Sequence, residues 1–246
     1  MNQGVEFVTV PADQTTLCGI LAEIAALPAD WHGAGSLAPP ALEAIVRHCS
    51  SISIEHSAET GSGRSTLLFS HLSAHHEVFA LDDGGSITKV LQSPLLNRTA
   101  VHYVEGPTQL TLPTHRFAHK LQAALIDGPH QYPCPDLEYF YVHRHLDTGA
   151  IFVLDDIDIP TVYNLFKFLK ADEMFRLLEV VGVTAFFQRT DAANPDADGD
   201  YRDRWWMQGY NKRHRLVDYS PESVVKWLLP ARVKSALKRL SRPRGG

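Results

Sequence analysis

Five short stretches of this 246-residue chain carry side chains that could do chemistry. Ala58-Glu59-Thr60-Gly61-Ser62-Gly63 closes an apolar run with an acid and two glycines, and a helical pattern with Leu67, Leu68 and Leu72 follows at once. A strand, a glycine turn and a helix in that order suit a nucleotide cofactor, because glycine lets the backbone turn tightly and approach a ligand. About twenty residues on, Phe79-Ala80-Leu81-Asp82-Asp83 ends a second run, where a carboxylate can accept the hydroxyl hydrogens of a ribose. Glu105-Gly106-Pro107 ends a third, at the place of an adenine edge. Asp127-Gly128-Pro129-His130 and Asp155-Asp156 end the fourth and fifth. Three carboxylates at neighbouring strand ends, Asp127, Asp155 and Asp156, raise one another's pKa unless a cation separates them. They imply a hard divalent metal such as magnesium or a shared proton. His130 is the natural general base beside Asp127. Each stretch also has a plainer reading: a sharp structural turn for the glycines, solvated punctuation for the acids, a satisfied surface group for the histidine.

The elements needed to bring these residues together follow from periodicity. Leu17, Ile20, Leu21, Ile24 and Leu27 recur at helical spacing, and Pro39 and Pro40 open a second helix with Leu42, Ile45 and Val46. These make a helical preface over residues 1–50. The loop Asp30 to Ser36 between them reads as a connector or a lid. From residue 53 β-type runs at 53–58, 76–81, 101–104, 121–126 and 150–154 alternate with helical segments. Strands joined by helical crossovers imply a mostly parallel, doubly wound α/β sheet over residues 51–190. Residues 175–181 and 183–188 flank Gly182 closely and read as an antiparallel hairpin. Residues 191–246 form a polar loop and a basic tail.

Composition narrows the function. Hydrophobic residues at 44% and charged residues at 21% match a globular chain able to bury a core. A net charge of -5 argues against nucleic acid as a partner. Cys18, Cys49 and Cys134 lie far apart without a CxxC pair, which disfavours a disulfide framework and a zinc knuckle and fits a reducing cytoplasm. The start Met-Asn-Gln-Gly-Val-Glu lacks the pattern of a signal peptide, and no apolar run reaches membrane-spanning length. From Ser223 on there are seven bases and no acid, with Val233, Ala236, Leu237 and Leu240 on one face. This tail reads as a cap packed on the acidic body or as a peripheral contact with an anionic membrane on its inner face.

Taken in order, these residues resemble class I S-adenosylmethionine-dependent methyltransferases, in the small-molecule branch whose fourth strand ends DG-x-H-x-Y, here Asp127-Gly128-Pro129-His130-Gln131-Tyr132. The resemblance runs from about residue 53 to 190. It implies that Glu59, Gly61, Ser62 and Gly63 lie against the methionine moiety, that Asp82 or Asp83 binds ribose, and that Glu105 lies near adenine. Related metal-dependent O-methyltransferases keep carboxylates, sometimes with an Asn, at the positions of Asp127, Asp155 and Asp156; here the last is Asp. The implied activity is methyl transfer to a hydroxyl of a small polar acceptor, a sugar among the options, by a chain that could be a homo-oligomer. A nicotinamide-dependent oxidoreductase shares the first glycines, but Thr66 stands where its fingerprint wants Gly or Ala. A noncatalytic module on the same fold is the third reading.

Overall fold

The alternation of buried residues along the central strands sets the architecture. In the computed structural model, which describes residues 14–28, 31 and 37–193, successive residues of Leu121–Ile126 and Leu146–Leu154 point into two separate cores. Ala123, Leu125, Ile151 and Val153 face one, Ala124, Ile126, Phe152 and Leu154 the other. A strand buried on both faces needs an unbroken apolar run, and these are the runs the sequence supplies.

One core is closed by α1 (Gln14–Ala25), α2 (Pro39–Cys49) and α3 (Arg64–Leu72) through Leu17, Ile24, Leu42, Ile45, Leu67 and Leu68. Pro39 suits the first turn of α2, where its missing N–H would have no partner anyway. The second is closed by α6 (Cys134–Val142) and α7 (Pro160–Ala171) through Val142, Val162, Leu165 and Leu169. Between these helices lie β1 (His56–Thr60), β2 (His75–Ala80), β3 (Val101–Glu105), β4 (Leu121–Ile126), β5 (Leu146–Leu154), β6 (Phe175–Val181) and β7 (Thr184–Arg189). Two short helices, α4 (Ser86–Gln92) and α5 (Thr108–Thr111), follow β2 and β3.

The sheet order is β3-β2-β1-β4-β5-β7-β6. The first five strands run parallel, and β7 pairs antiparallel with both β5 and β6. This is the doubly wound sheet with a terminal hairpin, its turn at Gly182. The first strand is displaced from its expected span. It begins at His56 rather than residue 53, because Ile54 packs into the core below it and the N–H groups of Glu55 and His56 donate to the side chain of Gln122. β5 begins earlier than expected, at Leu146, with a register shift against β4.

The described residues all fall in the first of two units, Met1–Arg204; the second, Trp205–Gly246, lies outside them, and so does the basic tail. Most of the Asp30–Ser36 loop and of the polar loop after Asp191 also lies outside. Among the described residues no helix is long and apolar enough to cross a membrane.

Candidate active site

Because the chain steps from β1 outward to β2 and β3, then back to β4 on the other side, the crossovers leave β1 and β4 in opposite directions. A crevice opens at their carboxyl ends, the place where open parallel sheets bind ligands. Here it is a cavity of about 760 Å³ lined by Gly61 and Ser62 after β1, Phe79 to Leu81 at the end of β2, Gly106 to Gln109 after β3, Asp127 to Gln131 after β4, and Asp155 and Asp156 after β5.

Gly61 has φ +92°, and a Cβ there would sit 2.4 Å from the carbonyl oxygen of Asp127. Backbone conformation and the close approach of the β4 turn both demand glycine. The rest of the glycine turn is knitted internally. Thr66 on α3 accepts a hydrogen bond from the Gly63 N–H at 3.0 Å and donates its hydroxyl to Glu59. A threonine at that position thus serves the turn itself. Glu59 is fully enclosed: its Oε1 lies 3.2 Å from Nε2 of His76, whose Nδ1 meets the Ser57 hydroxyl at 2.7 Å and whose ring stacks on Phe69. Of the four residues assigned to the methionine moiety, Gly61 and Ser62 line the cavity; Glu59 and Gly63 support it from beneath.

The ribose assignment to Asp82 meets a competing use of the carboxylate. One oxygen accepts the Ile87 and Thr88 N–H groups and the other the Thr88 hydroxyl at 2.7 Å, so the side chain is spent on the start of α4. The Thr88 hydroxyl holds its pKa below the usual carboxylate range. In place of Asp82 the cavity wall carries Leu81, Gly84 and Ser86, with Leu81 half-exposed. The side chain of Asp83 lies outside what is described. Glu105 is exposed and outside the lining, which takes up again at Gly106.

At the β4 end, the Asp127 N–H donates to the Thr60 hydroxyl at 3.1 Å, fixing the turn to β1. His130 Nε2 lies 3.2 Å from Asp156 Oδ2 and 3.7 Å from Asp127 Oδ1, and it has no partner in hydrogen-bond geometry. The Thr161 hydroxyl donates to the His130 backbone carbonyl and anchors it to α7. Burial pushes the Asp127 carboxyl up to about 8, with Asp155 and Asp156 adding to the rise and His130 opposing it. His130 moves up because Asp127 stabilises its charged form, against the penalty of burial. Asp156 is held at φ +54°, a conformation that costs of order 1 kcal/mol in a residue with a side chain and tends to occur at functional sites.

The expected carboxylate triad is altered in one member. Asp155 is buried, and its carboxylate accepts the hydroxyl of Thr184 on β7. The groups that converge, each offering one ligand atom within 4.8 Å of the others, are Asp127, His130 and Asp156. Asp155 still lines the cavity, but its carboxylate is engaged by β7.

One participant carries no motif. Glu138 on α6 is buried beneath the site, accepting the hydroxyls of Thr60 at 2.9 Å and Thr108 at 2.6 Å, and burial pushes its carboxyl up to about 7. The available signal was a lone acid in the apolar stretch from Leu137 to Val142.

Comparison with known proteins agrees with this architecture. Residues 58–157 match a family model described as a methyltransferase domain. No curated protein matches the chain by sequence. The fold is similar to cofactor-bound Rv0187 from MTB, with a TM-score of 0.55 and 16% identity over 75% of this chain and 94% of that one. It is also similar to the O-methyltransferase NovP, with a TM-score of 0.53 and 14% identity over 72% of this chain and 98% of that one. A third likeness is to the O-methyltransferase TomG from Streptomyces achromogenes, solved with SAM, with a TM-score of 0.51 and 14% identity over 74% and 92%. The glycine turn, the cavity and the acidic strand ends all fall in or beside the segment that matches the methyltransferase-domain model, and the sheet has the fold of these solved methyltransferases.

Proposed function

We propose that this protein transfers a methyl group from S-adenosylmethionine to a hydroxyl of a small polar acceptor, with His130 as the base. The observation that carries this reading is His130 Nε2, a buried nitrogen without a hydrogen-bond partner, set between the Asp127 and Asp156 carboxylates at the cavity edge. Gly61 and Ser62 would hold the methionine end of the cofactor, and Leu81 and Gly106 to Gln109 the adenosine end. The bound cofactor supplies a methyl group already activated on a sulfonium.

The protein's own work is to orient the acceptor, exclude bulk water and take one proton. His130 Nε2 accepts that proton, and Asp127 and Asp156 stabilise the imidazolium formed. The acceptor end of the cavity, with Asp127, His130, Gln131 and Asp156, offers hydrogen-bond acceptors to several hydroxyls at once. This favours a polyhydroxylated molecule such as a sugar over an apolar one.

The same three side chains fit a divalent cation, since two carboxylate oxygens and an unpartnered imidazole nitrogen make a suitable donor set. Asp127, His130 and Asp156 would hold it, and it would lower the pKa of an acceptor hydroxyl.

Titration calorimetry with S-adenosylhomocysteine and with NAD tests the reading. Binding of S-adenosylhomocysteine alone is expected; binding of NAD alone would replace it with the oxidoreductase reading.

A further inference from the structure

We infer that Glu138 is a positioning residue of the methyl-transfer site, one carboxylate that fixes three walls of the cavity against each other. The inference rests on the methyltransferase reading of that cavity. Its Oε2 accepts the Thr60 hydroxyl, and Thr60 immediately precedes Gly61 in the glycine turn. The same Thr60 oxygen accepts the Asp127 N–H, so a continuous polar path runs from Glu138 to the backbone of an acid beside His130. Its Oε1 accepts the hydroxyl of Thr108, the first residue of α5 and part of the cavity lining. The third wall is held by contact. A Cβ on Gly128 would lie 2.2 Å and 2.6 Å from the two oxygens of Glu138, so the carboxylate is seated directly against the backbone of the β4 turn.

A side chain that only filled space under the turn would be apolar, because a buried carboxyl must recover its lost hydration from hydrogen bonds. Glu138 recovers it from the hydroxyls of two elements that meet at the ligand site. A carboxylate offers two acceptors and no donor, which matches two hydroxyl donors facing it; an amide offers one of each. Transfer chemistry is sensitive to such placement, since a shift of about 1 Å can cost about 10²-fold in rate.

The test uses the full chain with S-adenosylhomocysteine as the probe, so no acceptor is needed. In Glu138→Gln the shape is kept but one threonine hydroxyl meets an N–H group. The expected result is a melting temperature within a few degrees of wild type and at least tenfold weaker binding by calorimetry. Thr108→Val is expected to weaken binding severalfold, and the double variant to bind within about twofold of Glu138→Gln alone, as partners in one interaction do. A lower melting temperature with unchanged affinity in the folded protein would mean that Glu138 merely supports the fold, and would overturn the inference. Should Glu138→Gln not fold, unchanged affinity in both Thr60→Val and Thr108→Val overturns it equally. Wild-type protein that does not bind S-adenosylhomocysteine overturns the methyltransferase reading itself; wild-type binding with unaffected variants overturns only the role of Glu138.

Discussion

Two carboxylate–histidine pairs stand near the carboxyl and central parts of the same sheet, and their surroundings differ. Glu59 and His76 face each other on β1 and β2 at 3.2 Å, both fully enclosed, with the histidine bonded to Ser57 and stacked on Phe69. Asp127 and His130 lie at 3.7 Å on the cavity edge, with about a third of the His130 side chain and a fifth of the Asp127 side chain exposed. A second carboxylate, Asp156, stands 3.2 Å from the same ring. The first pair has its surroundings built around it and can only hold two strands together. The second lines the cavity with both side chains partly exposed, which leaves it within reach of a ligand. The chemical types are the same; the pairs differ in enclosure.

The sharpest way to break this contrast is to delete each histidine. His130→Ala should lower the methyl-transfer rate by about 10² to 10⁴-fold, the usual contribution of a positioned base, with a nearly unchanged melting temperature. Initial rates on a responsive acceptor decide, and full turnover in that variant would remove the assigned base. His76→Ala should do the opposite, costing about 3 kcal/mol of stability in a urea titration by leaving Glu59 buried and unpaired, while the rate per folded molecule holds. A stable His76→Ala protein would dissolve the distinction between the pairs.

Gly61 probes the joint between the two regions. Gly61→Ala puts a Cβ against the Asp127 carbonyl at a φ that alanine disfavours. A loss of about 2 kcal/mol is expected, accompanied by weaker cofactor binding because the β4 turn must move. A stable Gly61→Ala variant with wild-type affinity would show that the approach is loose.

Two smaller effects sharpen the exposed pair, both measured with chelator present. Asp127→Asn removes a carboxyl whose folded pKa is raised to about 8. In the wild type the unfolded chain ionises first as pH rises above the ordinary carboxylate range, so the stability contributed by that proton is lost progressively up to about pH 8. Asp127→Asn should therefore melt a few degrees higher than wild type near pH 8, with the gap closing toward pH 4. Asp156→Asn removes one of the charges that lift His130, so the acid limb of the rate profile should move to lower pH. An unmoved limb would detach His130 from the profile.

Much of the scaffold was legible because both-face burial demands apolar runs that nothing else in the chain imitates. β4 falls on Leu121–Ile126 as periodicity predicts. The start of β1 was not legible, since Ile52, Ser53 and Ile54 alternate like a strand while the ladder with β2 begins only at His56. At the site, Gly61 and the Asp127–His130 turn could be read from type and spacing. The bonds of Asp82 could not, because an acid at a strand end serves a ribose or a helix start equally well, and its contact with Thr88 six residues later appears only in the structure. The bond of Asp155 to Thr184 was not legible either, since Thr184 lies far along the chain on β7. Glu138 gave only the hint of an acid among apolar neighbours, as its partners Thr60 and Thr108 come from segments that meet only in the folded protein.

The most direct measurement is a crystal structure of the wild-type protein with S-adenosylhomocysteine. The expected result is the ligand lying from Ser62 across Leu81 to Gly106–Gln109, with its sulfur toward the space bounded by Asp127, His130 and Asp156. A ligand seated with its sulfur away from His130, or bound elsewhere on the chain, would contradict the assignment of this cavity to methyl transfer.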